Sequence, residues 1–130
     1  MSRILIADDS VLMRNNLKQI LKMIGIEEVI TFEHGKHLIE HYKECFKNGI
    51  PINLIILDTT MPIMSGFDTL EEILRINPNA QIIMFTELDQ RVVVKGIKLG
   101  AKQCIAKPLN KEQVKRVVMK FIWFLILIKA

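Results

Sequence analysis

Few residues of this chain are suited to cross-links or metal chelation by sulfur and nitrogen. Among 130 residues there are two cysteines, Cys45 and Cys104, far apart and without Cys-x-x-Cys spacing. They read as free thiols of a reducing cytoplasm, which excludes a disulfide framework. His37 and His41 lie one helical turn apart, but there is no HExxH glutamate and no third ligand, so zinc is not expected. No Gly-x-Gly-x-x-Gly follows the first apolar run, which sets aside dinucleotide chemistry. The start, Met-Ser-Arg, leads directly into a strand-like run and lacks the long apolar stretch of a secretory signal. The formal charge is only +4, and the basic residues are not interleaved with aromatics, so a nucleic-acid partner is not expected. The apolar run Phe121–Ile128 would span about 12 Å as a helix, too short for a bilayer core of roughly 30 Å. No transmembrane segment is expected.

What is present suits one folded domain over residues 1–130, half of them hydrophobic and a quarter charged. Short branched runs alternate with helical periodicity. Strands are predicted at Arg3–Ala7, Glu28–Phe32, Leu54–Leu57, Gln81–Phe85 and Gln103–Ala106. Helices are predicted at Val11–Met23, Gly35–Phe46, Phe67–Ile76, Asp89–Leu99 and from Lys111 onward, with Gly25 and Gly100 as stops. Five strands alternating with five helices, the strands apolar without alternation, imply a parallel sheet covered on both faces: a doubly wound α/β domain.

In such a sheet the strand C-termini share one edge, where ligands bind. The run LIILDTTMP, residues 54–62, brings one carboxylate, Asp58, to that edge. Asp8 and Asp9 follow the first strand, Thr86 the fourth, and Lys107-Pro108 the fifth. Three carboxylates in one patch repel one another, and a hard divalent cation such as Mg²⁺ relieves this with oxygen ligands alone. Thr86 and Lys107 add a hydroxyl and an ammonium, which suit a phosphoryl group. Asp58 can then serve as the nucleophile toward phosphorus. Asp8-Asp9-Ser10 could also merely cap the first helix.

These residues resemble the receiver domain of two-component response regulators, over essentially the whole chain. The resemblance rests on the acidic pair Asp8-Asp9, the D-x-x-M-P-x-M-x-G frame of Asp58, Met61, Pro62, Met64 and Gly66, then Thr86 and Lys107-Pro108. The opening DDSVLMR, Asp8 to Arg14, is similar to chemotaxis-type single-domain receivers. The resemblance implies a flavodoxin-like fold and a cis Lys107-Pro108 bond. It implies that Asp58 accepts a phosphoryl group from a histidine kinase, and that the same site later releases it to water. Asp9, Asp58 and the Thr60 carbonyl would hold Mg²⁺, with Asp8 helping through water. Thr86 and Lys107 would contact the phosphoryl oxygens. With no output domain, a downstream protein would bind the face of the fourth helix, fifth strand and fifth helix. Lys95, Lys98, Lys102, Lys111 and Lys115 on that face suit an acidic partner.

The chain departs from the family in four places. Glu87 follows Thr86 where a small residue is usual, which predicts slow phosphorylation if it turns inward. Cys104 replaces the aromatic three residues before the lysine. Ser65 replaces an acid before Gly66. The last helix loses its polar face after Lys120: Val114, Val117, Val118, Phe121, Leu125 and Ile128 form one stripe, while Ile122, Trp123, Phe124, Ile126 and Leu127 lie outside it. This apolar end, 121–130, predicts self-association through Phe121–Ile128.

Two other functions compete with this one. A phosphate-independent interaction module would keep the fold and leave the acids unused. A phosphatase of the haloacid dehalogenase type would need a second acid two residues after the nucleophile, where this chain has Thr60.

Overall fold

The computed structural model describes residues 3–87 and 89–129, with side chains as far as Trp123. The elements run β1 (Arg3–Ala7), α1 (Val11–Met23), β2 (Glu28–Phe32), α2 (Gly35–Lys47), β3 (Leu54–Asp58), α3 (Gly66–Ile76), β4 (Ile82–Thr86), α4 (Gln90–Leu99), β5 (Gln103–Ala106) and α5 (Lys111–Lys129). The strands form one parallel sheet in the order β2-β1-β3-β4-β5. From β1 the chain first steps outward to β2, then returns past β1 to β3. The reversal leaves the C-terminal ends of β1 and β3 side by side, with their following loops leaving to opposite faces.

Side chains alternate across the sheet, so each strand feeds two cores. Ile4, Ile6, Leu54, Ile56, Ile83, Phe85 and Ile105 pack against Leu17, Ile20 and Leu21 of α1 and Val114, Val117, Val118 and Ile122 of α5. Leu5, Ala7, Ile55, Leu57, Ile82 and Met84 pack against Leu38, Ile39 and Tyr42 of α2 and Leu70 and Ile73 of α3. The three central strands, β1, β3 and β4, are buried almost throughout, as their unbroken apolar sequence requires. The edge strands β2 and β5 are half-buried for most of their length.

Helix ends follow local chemistry. The Ser10 hydroxyl accepts from the Met13 N–H and caps α1. At the other end Gly25, at φ 92°, lets the Ile26 N–H reach the Leu21 carbonyl and its own N–H reach Lys22, closing the last turn. Ser65 caps α3 through the Asp68 N–H, so its place before Gly66 has a structural use.

The last helix differs from its expected stripe. Ile122, placed outside it by the sequence, is fully buried with Val114, Val117 and Val118, whereas Phe121 only borders that core. Both positions fit a period of 3.6 residues, and the packing against β1 and α1 selects Ile122. Trp123 is half exposed. The expected roles of Phe124, Leu125, Ile126, Leu127 and Ile128 concern side chains outside the described residues.

Candidate functional site

Asp58 is the last residue of β3, not the first of the loop. Its backbone continues the ladder opposite Phe85 while its side chain reaches the sheet edge. Asp8 and Asp9 follow β1 directly. One carboxylate oxygen from each of Asp8, Asp9 and Asp58 lies within 4.8 Å of the other two. Asp8 and Asp58 are nearly buried, at 2% and 3% exposure, and Asp9 faces solvent.

Asp8 is fixed at three atoms. Its N–H donates to the Phe32 carbonyl (3.1 Å), its Oδ1 accepts from the Ser10 N–H (2.9 Å), and its carbonyl accepts from the Arg14 guanidinium (2.7 Å). Burial pushes its carboxyl above the ordinary range; the Ser10 bond and Lys107 oppose this, while Asp58 and Asp9 add to it. Burial likewise raises Asp58, against the pull of Lys107 and the Thr60 N–H. That N–H donates to Asp58 Oδ1 at 3.4 Å, so Thr60 stands beside the site.

Lys107 follows β5 across a cis bond to Pro108, as the resemblance implies. Its ammonium lies 3.0 Å from Asp58 Oδ1 and 4.0 Å from Glu87 Oε1. Burial pulls the Lys107 pKa down. The bond to Asp58 and the charges of Asp58, Asp8 and Glu87 outweigh that and hold it above its usual value. Glu87 turns outward, its side chain 78% exposed, and still keeps Lys107 within reach.

Thr86, expected just past β4, is its final residue and is 1% exposed. Its hydroxyl meets that of Thr59 at 3.5 Å. In sequence, Thr59 is marked only as a hydroxyl directly after the acid, and its partner appears only through the strand register. Gly66 packs against this segment, where a Cβ would sit 2.1 Å from the Asp58 carbonyl oxygen.

The structure thus gathers Asp8, Asp9, Asp58 and Lys107 at one point, with Thr60 and Thr86 on its border. The donors are all oxygen, two of the acids are buried, and their mutual charge is only partly offset by one ammonium. This set fits a hard divalent cation better than zinc.

The departures are placed as well. The Cys104 thiol lies half-buried beneath α4, close enough that a Cβ on Gly96 would approach its sulfur to 3.1 Å. On the face of α4, β5 and α5, Lys98, Lys102 and Lys111 are exposed. Lys95 is exposed too, with its ammonium over the Phe67 ring of α3, 4.5 Å from the centroid, and Lys115 pairs with Glu112. The ring contact orients the Lys95 ammonium toward α3 while the residue stays exposed on α4.

Comparison with known proteins agrees with this arrangement. The family profile described as Response regulator receiver domain matches residues 4–119. The chemotaxis protein CheY of Thermotoga maritima is 37% identical over 119 residues, covering 91% of this chain and 95% of that protein. CheY of Bacillus subtilis is 39% identical over the same shares. Among solved structures, the CheX-CheY-BeF3-Mg complex of Borrelia burgdorferi matches with a TM-score of 0.84 and 34% identity, covering 92% of this chain and 87% of that one. The doubly wound sheet, the three acids and the facing lysine therefore carry the expected relationship: the chain belongs to the response regulator receiver domain family.

Proposed function

We infer that this chain is a stand-alone response regulator that takes a phosphoryl group onto Asp58 and signals by binding a protein when phosphorylated. The observation that supports this most is the meeting of three carboxylates within 4.8 Å, one of them ion-paired to Lys107 at 3.0 Å. A patch of acids with one ammonium is a poor general-acid pair but a good cradle for a cation and a phosphoryl group.

Asp58 acts as nucleophile. One carboxylate oxygen forms the O–P bond as the P–N bond of a histidine kinase's phosphohistidine breaks, and the imidazole leaves with the electron pair. Lys107 holds the growing charge on the phosphoryl oxygens, and Thr86 donates to one of them. Water later attacks the same phosphorus and restores the Asp58 carboxylate. Asp9, Asp58 and the Thr60 carbonyl would hold Mg²⁺, with Asp8 acting through water. The bound ion would supply neutralisation of charge shared by acid and phosphoryl group. The chain turns over no outside substrate, since Thr60 stands where a phosphatase of the haloacid type needs an acid.

The output is a protein contact through α4, β5 and α5, where Lys98, Lys102 and Lys111 favour an acidic partner. The names of the relatives support chemotaxis as the process. The free thiols Cys45 and Cys104 fit a cytoplasmic protein, and no described helix is long and apolar enough to cross a membrane.

The apolar end of α5 is the basis for a homodimer through Phe121–Ile128. At 19 residues, α5 continues past Ile122, the last of its described residues in the core. Light scattering should show concentration-dependent dimers for the intact chain and monomers for one ended after Trp123. A monomeric intact chain at high concentration would refute the dimer.

The central test is intact mass after acetyl phosphate and Mg²⁺. The chain should gain one phosphoryl group, and Asp58→Asn should gain none. Equal labelling of both would move the acceptor elsewhere and overturn the reading.

A further inference from the structure

A cleft opens at the N-terminal edge of the sheet, the end opposite Asp58. Helices that join parallel strands run back against them, so α2 and α3 both end at that edge. Tyr42 and Phe46 stand one turn apart on α2, their ring centroids 6.3 Å apart and their planes stacked at 19°. After α2, Gly49 at φ 70° turns the chain, and the Ile50 N–H reaches the Cys45 carbonyl at 2.9 Å. Ile50, Pro51 and Ile52 therefore return beside the last turn of α2. Together with Asn77, the C-cap of α3, these residues line a cleft of about 310 Å³. Tyr42, 3% exposed, forms its floor, and the Tyr42 hydroxyl accepts from the Asn77 side-chain amide at 3.0 Å. Phe46 and Ile50 are its exposed lips, at 51% and 38%.

The end of α5 passes the same edge. The helices α1 to α4 have 10–13 residues and α5 has 19. At 1.5 Å per residue these lengths are about 15–20 Å and about 28 Å. Ile122 is the last of the described α5 residues in the core, and the helix runs on to Lys129, about 10 Å further. The sequence there, Phe121–Ile128, is apolar throughout. α5 packs on the α1 face of the sheet, whereas Tyr42 and Ile52 belong to the core on the α2 and α3 face. A continuous helix on one face cannot bend round the sheet, so the end of α5 cannot fill the cleft of its own chain.

We propose that the apolar end of α5 docks in the Tyr42–Phe46–Ile50 cleft of a second copy of this chain, and that a twofold pair makes this contact twice. The inference rests on the proposed homodimer and names the surface that receives the helix end. Every chain carries both halves of the contact at one edge, so a twofold axis at that edge brings each end to the other's cleft. The floor hydroxyl is already paired with Asn77, and a segment without charge brings no polar side chain that would need a new partner. A space of this size holds about ten waters, and apolar side chains entering it return them to bulk. The contact lies at the far edge from Asp8, Asp58 and Lys107 and leaves them open. Pairing is therefore independent of phosphorylation, and both chains of a pair remain open to it.

Light scattering and the emission of Trp123, the sole tryptophan, follow the pair in the full-length chain. The parent is compared with Phe46→Glu, which puts a charge at the mouth of the cleft, and with Phe46→Leu, which keeps it apolar. A third protein carries Leu125→Glu and Leu127→Glu in the helix end. Phe46→Glu should raise the dimer dissociation constant about tenfold or more, the usual loss when an interface anchor is removed, and Phe46→Leu should restore most of the affinity. Trp123 emission should move to the blue as the parent is concentrated and should not move in Phe46→Glu. An equal mixture of Phe46→Glu with the helix-end variant should associate more tightly than either alone, because one intact end then meets one intact cleft. Acetyl phosphate labelling and the far-ultraviolet spectrum of Phe46→Glu should match the parent's; if that variant does not fold, Ile50→Glu takes its place. A folded cleft variant that dimerises like the parent would overturn the proposal and leave the homodimer standing. So would a mixture no more associated than its parts. A pair tightened tenfold by beryllofluoride with Mg²⁺ would move the contact to a phosphorylation-dependent face and overturn it too. A parent that stays monomeric at high concentration removes the homodimer and this inference together.

Discussion

The Lys107 ammonium lies 3.0 Å from Asp58 Oδ1, although 49 residues separate the two in the chain. It opposes the burial that raises the pKa of this carboxylate, which is only 3% exposed and stands beside two others. Replacing it tests both its structural and its chemical use. Lys107→Met should destabilise the metal-free chain at neutral pH by about 1–3 kcal/mol, the cost of leaving a charged hydrogen bond unmade. It should bind Mg²⁺ more tightly, since a competing cation is gone, and label with acetyl phosphate more slowly by roughly tenfold or more. Lys107 is held above its usual pKa, so its stabilisation is present below the unfolded lysine value of about 10.4 and lost as pH rises through the folded one. Alkaline melts should therefore lower the parent more than the methionine variant.

Asp8 has the opposite sign. Burial holds its carboxyl above the ordinary range, so its favourable contribution is complete below the unfolded value of about 3.9 and fades as pH rises through the folded one. At neutral pH the charged form costs stability when no cation is bound. Asp8→Asn keeps an oxygen for the Ser10 N–H and removes the charge. Without metal it should melt higher than the parent at neutral pH, and the gap should close in acid. Added Mg²⁺ should raise the parent melt more than the variant's by mass action, so that the difference shrinks or inverts. A variant that melts below the metal-free parent at neutral pH would show that Asp8 is kept for its bonds and not for a cation.

The alternation of elements, the doubly wound class and four of the site's side chains were legible because periodicity and strand ends carry them. The limits came from residues whose role is set by neighbours distant in sequence. Asp58 and Thr86 were read as loop residues because they are polar. A ladder, however, is paired through backbone groups, and both strands keep their bonds one residue further than polarity indicates. Ile122 was misplaced because no polar residue between Lys120 and Lys129 marks a solvent face. Thr59 was silent because its meaning depends on the register of β3 against β4. Lys95 fits a basic face by sequence, and its contact with the Phe67 ring appears only once α3 and α4 are packed side by side.

Ile122 and Trp123 give a direct contrast on α5. Ile122 is fully buried and packs with Val118 and the β1 core; Trp123 is 51% exposed. Urea unfolding of Ile122→Ala should show a loss of about 2–5 kcal/mol, the usual range for a truncated core isoleucine. Trp123→Ala should cost less than Ile122→Ala and should weaken self-association if the dimer runs through this end. Equal losses for the two variants would contradict the burial pattern.

Gly66 is needed for space rather than for an unusual backbone angle. A Cβ there would stand 2.1 Å from the Asp58 carbonyl oxygen, and backbone atoms cannot swing aside as a flexible side chain would. Gly66→Ala should therefore push α3 away from the end of β3, at a cost of about 1–3 kcal/mol for an overpacked site. The displacement falls on Asp58, the proposed acceptor, so acetyl phosphate labelling should drop along with stability. A stable, normally labelled alanine variant would mean that the loop has room the geometry does not show.

Glu87 tests whether the approach to the site is electrostatic. Its carboxylate is 78% exposed and 4.0 Å from Lys107, so as an ion pair it contributes little. Its charge nevertheless stands beside the ammonium that would meet an anionic donor in the proposed reaction. Neutralising it removes a repulsion and a competitor at once. Glu87→Gln and Glu87→Ala should label with acetyl phosphate faster than the parent, by about two- to fivefold at low ionic strength. The gain should shrink in salt at about 1 M, where the screening length falls to roughly 3 Å. If bulk were the obstacle, alanine would gain while glutamine would not, and salt would leave the ratio unchanged. Equal rates for all three proteins would show that Glu87 does not slow phosphorylation.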